Sequence, residues 1–387
     1  MRSSSTARPG WSNLTPSRSR SATRRTLTAV EIEHWVDTLI TERGDDGMNR
    51  LRDQARALAP VLGRATEFQH LDRLISAALT TGDLADVGSD RLMARAVGLP
   101  FDERRLAAFE ALAADLVDRA PDVVPALEID QSRRRLLPFY EAYFSNFIEG
   151  TEFTLDEAAA IVFDHAVRAD RPADAHDIHD IHGTYDIVAD VTEMSRVPGS
   201  AVEFEQLLFR RHATLMGGRP DKLPGRFKER ANRAGTTEFV SPDLVIGTLR
   251  QGFDIGRSVV SPFARAVYMM FLTAEVHPFT GGNGRVARIM MNAELVSAGE
   301  VRIIIPTVYR NNYLSALRGA THNGHFAALY AMVDFARRWT AQVDFASRPS
   351  AEADLARTNA TREATEAENA GVRLVLPASS SKQRPTL

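Results

Sequence analysis

The chain has 387 residues, 44% hydrophobic and 25% charged, a balance that fits folded domains with sizeable cores. A formal net charge of −3 excludes a strong overall field toward nucleic acid or an anionic membrane surface. The absence of cysteine excludes disulfides and Cys-ligated zinc, and no apolar run reaches the roughly 18 residues of a membrane span, so a cytoplasmic location is expected.

Residues 1–25 hold six Arg, seven Ser and no acid. This reads as a disordered basic tail, taken to residue 27. A transit peptide has the same composition but adds an amphipathic stripe, which is lacking here. Residues 28–128 read as a helical N-terminal region. Ile32, Trp35, Val36, Leu39 and Ile40 follow helical spacing, and Gly82, Gly88, Gly98 to Pro100, Pro121 and Pro125 punctuate the joints.

A third region, 129–346, opens with a helix over Gln131 to Phe147. Leu136, Leu137, Tyr140, Tyr143, Phe144 and Phe147 give that helix an aromatic-rich face, and Gly150 suits its C-cap. Glu149 ends it, an acid opposed to the helix dipole and so in need of a cationic partner. Thr154 and Glu157 form a capping box for the next helix. His176, His179 and His182 recur every three residues, but acids are interleaved and the stripe drifts, so they read as a solvated face rather than a metal site. The helical pattern resumes over 185–215. Residues 217–241 are Gly- and Pro-punctuated and basic, and hold the one β-hairpin candidate, with strands around Arg226 to Lys228 and Thr237 to Val240.

The richest stretch is His277-Pro-Phe-Thr-Gly-Gly-Asn-Gly-Arg285, closed by Arg288. Pro278 stops a buried helix. The glycines allow close backbone approach, and the following helix presents free N–H groups at its start. Arg285 and Arg288 share a face of that helix and carry guanidinium forks suited to phosphate oxygens. His277 stands at the mouth as a base. A base beside a polyphosphate cradle points to transfer of a phosphate-containing group onto a hydroxyl. After Ala346 the composition turns polar, which reads as a tail over 347–387.

The stretch resembles the signature of the Fic (Fic/Doc) family, H-P-F-x-[D/E]-G-N-G-R-x-x-R. Ser145-Asn-Phe-Ile-Glu149-Gly150 resembles the inhibitory motif [S/T]-x-x-x-E-[G/N] of its autoinhibited members. The resemblance implies a mainly α fold, a Fic-type helical domain with one β-hairpin flap, which holds a target segment by strand addition. It also implies a protein adenylyltransferase that moves AMP from ATP to a Ser, Thr or Tyr hydroxyl of a protein substrate. In that scheme His277 takes the hydroxyl proton. Gly282, Asn283, Gly284, Arg285 and Arg288 bind the phosphates, and Glu149 inhibits through Arg288. One position departs from the pattern. Gly281 stands where the resemblance implies the carboxylate that binds Mg²⁺, so Mg²⁺ is expected but no residue is assigned as its ligand. A different donor, removal of AMP, or a non-catalytic nucleotide-binding regulator remain open readings. A homo-oligomer is compatible with the sequence.

Overall fold

The computed structural model describes residues 27–377 apart from 120, 129, 152 and 166–171. The basic stretch 1–25 lies outside the described residues. Two compact units divide the chain, Met1–Phe101 and Asp102–Leu387. In the first, α1 (Ala29–Val61), α2 (Ala65–Ala78) and α3 (Asp90–Ala96) pack together. Thr28 and Glu31 form the capping box that starts α1, and Gly44 (φ 66°) leaves the helical region within it. Val36, Ile40, Met48, Leu74, Ile75, Ala78 and Leu92 form the core. Buried Asp37 is neutralised by Arg91 and Arg95.

The second unit begins earlier than the composition predicts, at 102 rather than 129. The reason is α4 (Glu103–Val117), whose Phe109 meets Tyr268 and Phe271 edge-on. Then come α5 (Gln131–Ile148), α6 (Leu155–Asp164), α7 (Pro172–Ala189), α8 (Val191–Met194) and α9 (Ala201–Leu215). Strands β1 (Arg233–Ala234) and β2 (Thr237–Glu238) follow, then α10 (Val245–Gly256), α11 (Pro262–Val276) and α12 (Asn283–Ser297). Helices α13 (Arg310–Asn323), α14 (Phe326–Gln342), α15 (Arg348–Arg357) and α16 (Ala364–Asn369) complete the unit. The described residues are thus mainly helical with a single antiparallel hairpin. None of their helices is long and apolar enough to cross a membrane.

Helices α11 and α12 lie at the centre, with Phe263, Val267, Phe271, Val286, Ile289 and Met291 all buried. The hairpin is narrower than its sequence suggests. Arg233 pairs with Glu238 and Ala234 with Thr237 across Gly235. Arg226 to Lys228 is not one of its strands. Phe227 is drawn instead among Phe209 and Phe279, and the Lys228 N–H donates to the Pro278 carbonyl (2.9 Å).

The polar tail expected after 346 is not what the structure shows for 347–377. Ala351, Leu355, Ala360, Ala367 and Leu374 are buried against Tyr140, Phe144 and Trp339, the aromatic face of α5 included. Alanines make this segment look solvated by composition, yet they let it pack closely. Leu355→Ala should lower unfolding free energy by about 2–5 kcal/mol. Chemical denaturation checks this, since the same change on a solvated tail moves stability by less than about 0.5 kcal/mol.

Candidate active site

The signature loop is built by its own side chains. α11 ends at His277, whose left-handed backbone (φ 52°) turns the chain out of the helix. Phe279 is fully buried. Asn283 Oδ1 accepts from the Phe279 N–H, and Asn283 Nδ2 donates to the Phe279 carbonyl, each at 2.8 Å. Gly282 (φ 75°) then leads into α12, where a Cβ would stand 2.8 Å from Met216 Sδ. The first backbone bond into α12 comes from Val286 to Gly282, so the N–H groups of residues 283–285 are its free first-turn donors.

His212 of α9 fastens this loop from behind. Its ring stacks on Phe279 with centroids 3.8 Å apart and planes 5° off parallel. The Gly225 N–H donates to Nδ1 at 3.0 Å, so the proton sits on Nε2, which donates to the Gly281 carbonyl at 3.1 Å. Burial pushes its pKa down to about 4, despite the Gly281 bond.

His277 has the geometry of a base. Its Nδ1 is 3.3 Å from the Ala274 carbonyl, which can only accept, so Nδ1 carries the proton and Nε2 keeps its lone pair. The ring stacks on Phe239 at 3.7 Å and 8°. Burial, with nearby Lys228 adding to it, pushes its pKa down to about 4, so the free imidazole is neutral at neutral pH. Lys228 is itself buried, and burial, then Arg105, push it down to about 7. Its ammonium donates to Asn232 Oδ1 (2.7 Å), and Asn232 Nδ2 donates to the Phe279 carbonyl (2.9 Å).

The two arginines meet internal anions. Arg288 Nη2 donates to Glu149 Oε1 at 2.7 Å and to the Ser145 carbonyl at 2.8 Å, and its Nε donates to Ser145 Oγ at 3.0 Å. Glu149 Oε1 lies so close over Gly284 that any Cβ there would collide with it. An acid placed badly at the end of α5 is therefore placed well at the start of α12, where the dipole has the opposite sign. Burial raises the Glu149 pKa, but Arg288 and then Arg285 outweigh it and hold the carboxyl below its ordinary value. Arg285 is paired with Asp180 of α7 (2.6 Å) and donates to Asn146 Oδ1 (2.9 Å). Its Nε is buried without an acceptor among the described residues.

The structure thus brings Glu149, His277, Gly282, Asn283, Gly284, Arg285 and Arg288 into one place. One side chain is used differently from the resemblance. Both polar atoms of Asn283 hold the Phe279 peptide rather than standing free for a phosphate. Sequence reasoning missed Asp180, His212, Lys228 and Phe239. Asp180 hides in the His-rich stretch, where His179 is exposed and His182 stacks on His165. No metal-ligand cluster of three or more His, Cys, Asp or Glu occurs among the described residues.

His212 and His277 give folding a pH dependence whose sign is fixed. The unfolded chain binds their protons below about pH 6.5, the folded one only near 4, so stability is full above 6.5 and falls as pH drops toward 4. Between pH 7 and pH 5, His212 alone should cost about 1–2 kcal/mol. Denaturation of native protein and His212→Gln at both pH values checks this, the variant losing less on acidification.

Residues 203–295 match the family model described as Fic/DOC family. Protein adenylyltransferase Fic of Drosophila persimilis is 28% identical over 311 residues, covering 71% of this chain and 56% of that protein. Protein adenylyltransferase fic-1 of Caenorhabditis elegans is 29% identical over 113 residues, covering 28% of this chain and 22% of that protein. The chain thus spans about half the length, or less, of these curated relatives. A solved fragment of C. elegans Fic-1 superposes with a TM-score of 0.45 at 17% identity, over 86% of this chain and 98% of that one. The match over 203–295 falls on the helix that carries His212, the hairpin, His277 and the Gly-rich start of α12, so this segment is similar to the Fic/DOC family.

Proposed function

We propose that the protein is a protein adenylyltransferase that moves AMP from ATP to a hydroxyl side chain of a protein, and that Glu149 holds it in check. The observation that carries this is the seat of the Glu149 carboxylate: on Arg288, over Gly284, at the start of α12 and beside a neutral imidazole. An internal anion rests where a polyphosphate would, next to a base.

The acceptor oxygen attacks the α-phosphorus as its proton passes to His277 Nε2. A new P–O bond forms, the bond from the α-phosphorus to the bridging oxygen breaks, and pyrophosphate leaves. The backbone N–H groups from Asn283 to Arg285 and the two guanidinium groups hold the charge that develops on the phosphates. Asn283 serves by closing the loop that aims those N–H groups. The hairpin segment holds the acceptor chain. Gly281 offers no side-chain oxygen to Mg²⁺, and the Lys222 side chain packs against it, so the residues present do not fit a protein-held metal.

ATP and Glu149 compete for Arg288, because two anions cannot share one guanidinium cheaply at close range. With Glu149 in place, ATP binds with its phosphates out of line. Glu149→Gly should raise transfer by about 10²-fold, through alignment more than affinity. His277→Ala in that background should remove about 10²–10⁴-fold while ATP still binds. Transfer of label from α-³²P-ATP to protein measures both. Equal rates for native protein and Glu149→Gly would reject the inhibitory role, and undiminished transfer by the His277 variant would reject the mechanism.

A further inference from the structure

We infer that Lys222 is the cation of the donor site, its ammonium neutralising the polyphosphate of a nucleotide bound without a divalent metal. The inference rests on the donor-site reading above and deepens it. Gly281 has no side chain, but the space beside it is filled. A Cβ built there would stand 3.3, 3.6 and 3.8 Å from Cδ, Cγ and Cε of Lys222. The lysine stem therefore packs in contact against the point where a side chain at 281 would start, which sets its positive charge beside the signature loop.

Both partners in this contact are held. On one side, His212 holds the Gly281 carbonyl and stacks on Phe279. On the other, Lys222 ends the short 3₁₀ turn Pro220–Lys222, where Pro220 fixes the backbone and the Lys222 N–H donates to the Arg219 carbonyl at 2.9 Å. Arg219 is anchored in turn on Asp177 and Asp180, each at 2.8 Å. Asp180 is the same carboxylate that holds Arg285. The turn that presents Lys222 and the helix that presents the cradle are thus tied to one buried acid.

The charges point the same way. Arg285 and Arg288 face carboxylates within the fold, Asp180 and Glu149. Lys222 instead pairs at 3.0 Å with its neighbour Asp221, whose side chain is 63% exposed. A solvated pair of this kind is weak and easily exchanged for a phosphate. An ammonium is a compact point charge suited to phosphate oxygens. A divalent cation at the same place would meet that ammonium, and the two would repel.

The test is equilibrium binding of ATP to the full chain in EDTA and in excess MgCl₂, with His277→Ala present throughout to prevent turnover. The expected result is binding in EDTA at least as tight as in Mg²⁺, weakened about ten- to hundredfold by Lys222→Met and kept by Lys222→Arg. Lys222→Ala with Gly281→Asp, which clears the stem and supplies an oxygen, should bind ATP only with Mg²⁺. ATP binding that needs Mg²⁺ and ignores Lys222→Met overturns the inference while leaving the donor site standing. Loss of that Mg²⁺-dependent binding in Asp221→Asn would overturn it too, by identifying a metal ligand. No binding of ATP under either condition overturns the donor-site reading and this inference together.

Discussion

The site depends on one charge relation, the carboxylate of Glu149 at the junction of two helices. At the end of α5 that charge opposes the dipole of its own helix; over Gly284 it completes the dipole of the next. Arg288 adds the guanidinium, and Ser145, one turn before Glu149, accepts from its Nε and from the same Nη2 that meets Glu149. The aromatic face of α5 is buried among Tyr140, Phe144 and Trp339, so the helix cannot slide away from α12 without exposing a core. The Glu149–Arg288 contact is therefore as well fixed as the fold.

Around this relation the second unit sets up a loop with little freedom of its own. Asn283 and Asn232 both hold the Phe279 peptide, His212 covers the Phe279 ring, and Lys228 holds the backbone before it. Each of these bonds lies in a buried or half-buried setting where its loss would strand a polar group. The backbone donors at the start of α12 thus keep their aim before any ligand arrives, which is the condition for charge stabilisation without reorganisation.

Much of the site was legible because it is local. His277 to Arg288 lie on one short run, and helical spacing alone puts both arginines on a shared face. The Glu149 motif was legible because a charge against a dipole calls for a partner. Asp180, His212 and Lys222 were not legible, because each acquires its role from a neighbour far along the chain. Asp180 looks like one more acid on a solvated His-rich face, and His212 like a helix-end histidine. The unit boundary at 101 and the buried 347–377 segment escaped for a related reason. Alanine and mixed helical patterns do not say which neighbour they pack against. The sequence pattern overstates the hairpin because Phe227 alternates like a strand residue, whereas the aromatic pocket around Phe279 claims it.

Phe239 lies flat against His277, and this joins two tasks usually thought of apart. The stacked ring sets the plane of the imidazole, and Ala274 sets its rotation within that plane, so the direction of the Nε2 lone pair is shared between the helix and the hairpin segment. The hairpin segment is also where an acceptor chain would lie. In the proposed reaction, a guest that seats poorly there would disturb Phe239, and the aim of the proton acceptor would drift with it. The stacking is worth only about 0.5–1.5 kcal/mol, small enough to yield yet large enough to change a rate severalfold. In the proposed reaction, recognition and chemistry would then share one error signal: a badly held guest would meet a badly pointed base.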